Sequence, residues 1–291
     1  MKVQSLDLTE RRRTIWEKLF FAGIFLVLAI WSVLFLGMLA WALMSSFKTN
    51  IDYVNSPLTL PDVFHIENYL LAMDQLAYNG VRFGGLLFNS LWQTIGPAAI
   101  STLMVCITGY IFAQYRFRGR ELIFSIVIFV MIIPIYGAFA ANYKLNYELG
   151  LSNSYLWLIR SFGGLGGNML LTYGYYKGVP TAFREAVYID GGSDSMAFWK
   201  VYLPLGRNVF VALFLLALIA NWNDYETPLL YMDKMPNLAL GLYSFQQEIK
   251  YVANEPAYFA GTFIVMTPIL LIFIFGSNKI MGKLFSGGIK G

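Results

Sequence analysis

The sequence predicts an all-α membrane protein with six membrane-spanning helices. Of its 291 residues, 57% are hydrophobic and only 13% are charged, whereas soluble domains carry about 25% charged residues. The charged residues fall between long uncharged segments, most of which are long enough to cross a bilayer as a helix. The net charge of +4 raises the question of nucleic-acid binding. The basic residues form no single dense patch, so we expect no nucleic-acid partner.

The predicted elements follow one another along the chain. Residues 1–18 form a polar, basic segment, 19–47 form the first span, and 48–83 form a mixed connection. The core domain, 84–291, contains five further spans, which lie at 84–115, 122–143, 149–176, 208–223 and 256–278. We expect Pro134 to kink the third span and the fifth span to extend towards Leu230.

The distribution of basic residues predicts the orientation in the membrane. Fifteen of the 21 lysine and arginine residues lie on the face that carries both termini and the loop at 180–204. Five lie on the opposite face, and Arg160 lies within the fourth span. Because cytoplasmic segments are enriched in lysine and arginine, we expect both termini and this loop to be cytoplasmic. The connection at 48–83 is then extracytoplasmic.

The loop at 180–204 is too polar to be a span and reads as two short helices joined by a turn. Thr181 can cap the first helix, and Ser193 can cap the second. Between them, Gly191 and Gly192 break the helix, because glycine adopts the required turn without steric cost. Pro204 is expected to end the second helix, since it lacks a backbone N–H.

The composition argues against an enzyme. The chain has one histidine, His65, and one cysteine, Cys106, so we expect no disulfide within the chain, no metal site and no histidine-based catalytic triad. The glycine run at 163–167 lacks the lysine and the serine or threonine of a phosphate-binding loop. Close helix packing is the favoured interpretation of this run.

The loop at 180–204 resembles the EAA loop of ABC importer permeases. Seven of its residues match that pattern: Glu185, Ala186, Asp190, Gly191, Phe198, Leu203 and Pro204. Val187, Gly192 and Val201 depart from the pattern by small changes. The alternative, an amphipathic surface loop of an unrelated polytopic protein, would leave this spacing unexplained.

Further segments are similar to the maltose-transporter MalG-type branch of carbohydrate permeases. They are GYIFAQYRFRGRE at 109–121, the stretch from Met131 through YELGLSNSYLWLI, NWNDYETPLLYM at 221–232 and LALGLYSFQQE at 238–248. The resemblance covers about 89–291 and implies a MetI-like ABC permease fold with cytoplasmic coupling helices. It also implies residence in a bacterial or archaeal inner membrane.

The resemblance implies a set of partners and a mechanism. They are a second, homologous permease forming a heterodimer, two ABC ATPase subunits, an extracytoplasmic solute-binding protein and membrane lipid. ATP and Mg²⁺ would bind the ATPase, so no cofactor is expected in this chain. Transport would proceed by alternating access, with a carbohydrate as the solute.

Roles within the loop follow from the resemblance together with residue chemistry. The candidate ATPase-coupling residues are Arg184, Glu185, Ala186, Asp190, Gly191, Phe198, Leu203 and Pro204. Glu185 would make charge-assisted contacts with the ATPase or the loop backbone, and Phe198 and Leu203 would be apolar anchors. Asp190 has an equally good alternative role, which is to order the turn.

Polar groups within spans suggest a substrate path, because such groups are costly in a bilayer and often functional. The candidates are Asn89, Asn142, Tyr143, Arg160, Asn221, Asn223 and Asp224. The alternative is that these groups form hydrogen bonds between helices or an aromatic belt at the membrane interface.

Three other functions remain open from the sequence. An ABC permease for amino acids or peptides would share the coupling loop. An ion-coupled secondary transporter would need intramembrane carboxylates, for which only Asp224 and Glu226 qualify. An intramembrane enzyme would need a catalytic constellation that the sequence does not supply.

Overall fold

The hydrophobic segments fold into helices, and the computed structural model describes residues 14–133, 139–252 and 254–284. The first half contains α1 (Ile15–Ser45), α2 (Asn50–Asn55), α3 (Glu67–Gln75), α4 (Phe83–Gln114), α5 (Arg120–Ile132) and α6 (Phe139–Glu148). A 3-10 helix (Tyr155–Phe162) leads to the second half, which contains α7 (Gly167–Lys177), α8 (Ala182–Ile189), α9 (Asp194–Ala197), a π-helical turn (Phe198–Tyr202), α10 (Leu203–Leu205), α11 (Arg207–Trp222), α12 (Glu226–Tyr231), α13 (Leu238–Val252) and α14 (Glu255–Leu284). Most of the predicted N-terminal segment and the Pro134 kink lie outside the described residues.

Three of these helices are long and apolar enough to cross a membrane. They are α1, α4 and the part of α14 up to Ile274. A fourth crossing results if 194–205 and 207–222 count as one span, although these two segments meet at an angle of 77°. These counts concern only the part of the chain that the structure describes, and six spans remain a prediction.

The helix that contains the first predicted span, α1, begins at Ile15, four residues before the predicted start of the span. Thr14 and Glu17 form a reciprocal cap, in which the Thr14 hydroxyl accepts from the Glu17 amide at 3.3 Å and the Glu17 carboxylate accepts from the Thr14 amide at 2.9 Å. Such a capping box satisfies two amides that otherwise lack partners in the first turn.

The third and fourth predicted spans are not single helices. Helix α5 ends at Ile132, and α6 lies across the predicted end of the third span. The fourth span is divided by the non-helical residues 163–166. The reason lies in Gly164: a Cβ atom there would come within 2.9 Å of the Met104 carbonyl oxygen, so the chain passes directly against α4. The close-packing interpretation of the glycine run is thus confirmed at Gly164.

Helix α4 is the centre of the bundle and packs closely against α7 and α11. At the α7 contact, Gly109 faces Thr172, whose hydroxyl donates to the Val105 carbonyl at 2.7 Å. A Cβ on Gly109 would overlap the Thr172 side chain and approach the Tyr173 amide nitrogen to 2.8 Å. Glycine is therefore required for the two backbones to approach this closely.

Within the described residues, the all-α prediction has one local exception, in the connection before α4. Strands β1 (Ala77–Tyr78) and β2 (Val81–Arg82) form a two-residue hairpin before α4. Its turn consists of Asn79 and Gly80, with φ angles of 46° and 80°, which are the positive values that a tight hairpin turn needs. The hairpin sets the point at which the chain enters α4.

Candidate functional site

The segment at 180–204 folds as the sequence predicts over its first half. Helix α8 ends at a turn in which Gly191 has a φ of 76°, and the Gly192 amide donates to the Val187 carbonyl at 2.8 Å. The Ser193 hydroxyl caps α9 by accepting from the Met196 amide at 3.3 Å. Thr181 occupies the cap position of α8, but its side chain makes no capping hydrogen bond.

The expected helix end at Pro204 is wrong. The chain stays helical to Leu205, and the sharp bend falls at Gly206. A π-helical turn precedes the proline, and in it the Leu203 amide donates to the Phe198 carbonyl five residues back. This wider turn accommodates a proline that cannot donate to the usual carbonyl. At Gly206, a Cβ would lie 2.7 Å from the Tyr176 hydroxyl, so the bend is packed directly against α7.

Gln114, the last residue of α4, joins the segment to two other helices. Its buried side-chain amide donates to the carbonyls of Tyr176 at 2.7 Å and Val179 at 3.1 Å, at the end of α7. Its side-chain oxygen accepts from the Tyr202 hydroxyl at 3.0 Å, in the π-helical turn. One side chain thus links α4, the end of α7 and the base of the 180–204 segment.

Helix α8 is held to the same point by Arg184. The Arg184 guanidinium donates to the backbone carbonyl of Gln114 and lies 4.6 Å from the centre of the Tyr115 ring. The hydroxyls of Tyr115 and Tyr188 both donate to the Asp194 carboxylate, which joins α8 to α9. Donation to this carboxylate raises the pKa of the Tyr188 phenol, because the neutral hydroxyl is the form that donates.

An aromatic cluster supports the inner side of the segment. Phe198 and Tyr202 are buried, and their ring centres lie 5.3 Å and 4.6 Å from that of Tyr110 on α4. Leu203 is half-buried against the same cluster, while Pro204 is exposed. Phe198 and Leu203 thus both pack against this chain's own bundle, Phe198 buried and Leu203 in part.

The other side of the segment, which we call its outer side, is exposed. Glu185, Ala186, Asp190 and Gly191 are all exposed. Around them the surface is partly apolar, since Phe183 is 46% and Ile189 is 86% exposed. The segment therefore has two sides: an inner side fixed to α4 and α7, and an outer side that presents acidic and apolar groups.

A separate polar cavity brings together three of the seven candidate path residues: Arg160, Asn221 and Asp224. Its volume is about 220 Å³. Its other lining residues are Gln93, Pro97, Trp157, Ser161, Thr227, Pro228, Met232 and Asn237. The cavity lies between α4, the 3-10 helix, α11 and α12.

Arg160 is the principal unpaired group of this cavity. Its guanidinium lies 4.4 Å from the centre of the Trp157 ring and 5.8 Å from that of Tyr231. No ion pair to Arg160 occurs within the described residues. By contrast, one Asp224 oxygen accepts from the Thr227 amide at 2.9 Å, so this carboxylate also caps the start of α12.

The other four candidate path residues lie outside the cavity lining. Asn89 is buried and donates to the Pro236 carbonyl at 2.9 Å, which ties α4 to the chain before α13. The Asn142 carbonyl accepts from Asn146, and the Tyr143 ring packs against Tyr231. Asn223 donates to the Ile219 carbonyl at 2.8 Å within its own helix. These contacts are the helix-to-helix and local bonds that were the alternative interpretation.

Sequence reasoning missed Gln114 as a junction and Gln93, Trp157 and Asn237 as cavity residues. Two of them had a readable signal: Gln93 and Gln114 are the two glutamines within the uncharged segment 84–115. A long amide in such a segment has to find buried partners. Trp157 and Asn237 had no comparable signal, because their positions depend on how the 3-10 helix and α13 meet α4.

Known proteins share this architecture. The chain is 26% identical over 268 residues to the permease protein NgcG of a diacetylchitobiose uptake system of Streptomyces coelicolor, covering 91% of this chain and 87% of that protein. It is 26% identical over 254 residues to the arabinooligosaccharides transport permease AraQ of Halalkalibacterium halodurans, covering 86% and 89%. A solved bacterial ABC transporter involved in the import of the acidic polysaccharide alginate contains a chain of the same fold, with a TM-score of 0.73, 21% identity and coverage of 91% and 98%.

The family assignment rests on the larger part of the chain. Residues 106–278 match the family described as the inner membrane component of binding-protein-dependent transport systems. The matched range includes the whole 180–204 segment, the Gln114 junction and most of the polar cavity. The chain belongs to the family of inner membrane components of binding-protein-dependent transport systems.

Proposed function

We propose that this chain is a permease subunit of an ATP-driven importer for an oligosaccharide. The observation that carries the proposal is the two-sided segment at 180–204, which is fixed to the bundle inside and exposed outside. The carbohydrate class is supported by the relatives described above, each of which is named for a sugar oligomer or polymer. These relatives do not favour amino acids or peptides as the solute.

The outer side of the segment would bind a separate ABC ATPase. Glu185 and Asp190 would pair with basic groups of that partner, and Phe183 and Ile189 would enter an apolar groove. Gly191 would set the angle between α8 and α9. Because the whole sequence has no phosphate-binding loop, ATP and Mg²⁺ would be bound by the two ATPase subunits of the complex.

The remaining assembly follows the family pattern. A second, homologous permease would complete a heterodimer, and an extracytoplasmic binding protein would deliver the solute. Six spans would place both termini and the 180–204 segment in the cytoplasm, with 1–18 as a cytoplasmic segment, 19–47 as the first span, 48–83 as the outer connection and 84–291 as the core domain. Arg116, Arg118, Arg120 and Arg184 lie near the junction of α4 and α5, and the positive-inside rule would assign this end of the bundle to the cytoplasm.

The polar cavity would form part of the solute path during alternating access. Trp157 and the guanidinium of Arg160 offer a stacking surface, while Asn221, Gln93 and Asp224 offer hydrogen-bond donors and acceptors for hydroxyl groups. Arg160 would contribute most, since it lines the cavity and has no ion pair within the described residues. The cavity of about 220 Å³ limits the contact to a small part of an oligosaccharide.

The test uses the chain in complex with its second permease, ATPase and binding protein, reconstituted in proteoliposomes. Glu185→Lys removes the proposed acidic contact on the exposed side, whereas Glu248→Lys makes the same charge change at an exposed position on α13. We expect the first variant to assemble less ATPase and to lose sugar uptake, and the second to do neither. Normal ATPase assembly and uptake with Glu185→Lys would contradict the proposed coupling surface.

A further inference from the structure

The turn between α4 and α5 carries a basic patch that belongs neither to the proposed ATPase contact nor to the proposed solute path. We propose that this patch and the exposed face of α5 together bind one anionic phospholipid. The lipid belongs to the leaflet on the same side of the membrane as the 180–204 segment. The patch consists of Arg116, Arg118, Arg120 and Lys177. The proposal rests on the chain being a membrane protein, but not on its solute or its ATPase.

Two of the four basic residues, Arg120 and Lys177, make contacts within the chain. Arg120 is fixed internally: its Nε donates to the Phe112 carbonyl at 2.8 Å, and its guanidinium pairs with Glu121 and lies 5.8 Å from the centre of the Tyr173 ring. Lys177 approaches the same ring, at 5.5 Å. Arg120 and Lys177 thus both lie close to the Tyr173 ring.

Arg116 and Arg118 are the groups available to a ligand. Both are exposed, and neither has an ion pair within the described residues. Arg116 and Arg120 both line the cavity described next, whose lining includes one carboxylate, that of Glu121, and Arg118 follows Arg116 by two residues in the same turn. A phosphate group is the anion that two guanidinium groups bind best, through paired hydrogen bonds.

The turn also forms a cavity of suitable character. Its volume is about 490 Å³, and it is lined by Arg116, Phe117, Gly119, Arg120, Glu121 and Leu122. Gly119 has a φ of 86°, so the backbone reverses tightly and leaves this space open. A cavity of this size accommodates a phosphate with its glycerol group, beside the apolar side chains of Phe117 and Leu122.

An apolar surface leads away from the cavity along α5. Leu122, Ile126 and Phe129 are 66%, 50% and 64% exposed, and their spacing of four and three residues places them on one side of the helix. Ile133, which is 44% exposed, continues this line just beyond the helix. A basic cavity at the base of an apolar stripe matches the two parts of a phospholipid, whose charged headgroup is joined to extended acyl chains. A free anion would use the arginines but not the stripe.

Retention of lipid by the purified complex tests the headgroup contact. The complex would be placed in bilayers that contain phosphatidylglycerol and phosphatidylcholine, and the lipid that stays bound would be measured by native mass spectrometry. We expect selective retention of phosphatidylglycerol by the wild type, and about 30-fold weaker retention after Arg116→Gln with Arg118→Gln. The control, Lys18→Gln with Arg207→Gln, removes the same charge and is expected to stay within about two-fold of the wild type.

Two outcomes of this measurement would overturn the proposal. The first is equal retention of the two lipids by the wild type, or unchanged retention of phosphatidylglycerol by the Arg116/Arg118 variant. The second is displacement of the retained lipid by millimolar inorganic phosphate, which would identify a site for free anions. Uptake is measured in parallel with the same variants, so failure of the lipid site and failure of the transport function give separate signals.

A second readout asks what covers the stripe on α5. The chain has one cysteine, Cys106, which is buried, so Leu122→Cys can be labelled selectively with a fluorophore. We expect brominated phosphatidylglycerol to quench this label at least about two-fold more than brominated phosphatidylcholine at equal density. Absence of quenching by either lipid would show that another protein covers the stripe, and the lipid proposal would be wrong.

Discussion

Replacing Gln114 by leucine is the sharpest test of how motion of the 180–204 segment reaches the bundle. Leucine keeps the approximate volume and removes the amide that bonds to Tyr176, Val179 and Tyr202. The Tyr176 carbonyl retains the Val179 amide as a donor at 3.1 Å. The Val179 carbonyl and the Tyr202 hydroxyl lose their good partners, although Tyr202 keeps a long contact of 3.4 Å to Pro180.

The magnitude follows from these two groups. A buried polar group that loses its partner costs about 1–3 kcal/mol, so the docked arrangement is weakened by about 3 kcal/mol. That change shifts the ratio of docked to undocked segments by about 150-fold. Arg184 still bonds to the backbone carbonyl of residue 114 and keeps α8 nearby. We therefore expect the ATPase to stay bound and active while its motion is transmitted poorly.

The assay is the number of solute molecules imported per ATP hydrolysed by the reconstituted complex. We expect Gln114→Leu to lower this ratio at least about ten-fold while ATP hydrolysis changes less than about two-fold, and Tyr202→Phe to have an intermediate effect because it removes one bond. Asn68→Leu is a matched control, since Asn68 also donates to two carbonyls, at 2.9 and 2.8 Å, but on α3, far along the chain from the 180–204 segment. A wild-type ratio in a well-assembled Gln114→Leu complex would refute the reasoning.

Three further predictions concern glycines and the polar cavity. Gly191→Val should insert normally but lose uptake, because a β-branched residue at a φ of 76° is strained by about 1–3 kcal/mol. Gly191→Asn should retain most uptake, and equal uptake by the two variants would contradict this prediction. Gly109→Ala should lower the unfolding temperature, because its Cβ would overlap the Thr172 side chain at a cost of about 1–3 kcal/mol. Gly174→Ala should not, because its Cβ meets no atom within 4 Å. Circular dichroism of the detergent-purified chain measures both unfolding temperatures. Arg160→Met should raise the solute concentration for half-maximal uptake at least about five-fold without changing ATPase assembly, and an unchanged concentration would exclude Arg160 from the solute path.

Local features of the 180–204 segment were predictable because they depend on neighbouring residues. The turn at Gly191 and the cap at Ser193 follow from backbone geometry that glycine and serine favour wherever they occur. The position of the bend was not predictable in this way. Pro204 is a helix breaker in isolation, but a π-helical turn accommodates it, and the bend falls where Tyr176 of another helix packs on Gly206.

For the polar cavity, too, only part of the arrangement could be predicted from the sequence. The sequence identified Arg160, Asn221 and Asp224 as polar groups within apolar segments, and they line one cavity. It equally identified Asn89 and Asn223, which lie outside the cavity lining and whose amides bond to backbone carbonyls. A polar residue type predicts only that a partner is needed. Whether that partner is another helix or a solute depends on tertiary packing, which one sequence does not reveal.

The contact between Gly109 and Thr172 restricts the movements open to the central helices. The Thr172 side chain packs directly on Gly109, and its hydroxyl bonds to the Val105 carbonyl. Helices α4 and α7 therefore have little freedom to slide or twist past each other. The two helices should therefore tilt together as one rigid unit. Opening and closing of the solute pathway then has to take place at helix contacts that are packed less closely than this one.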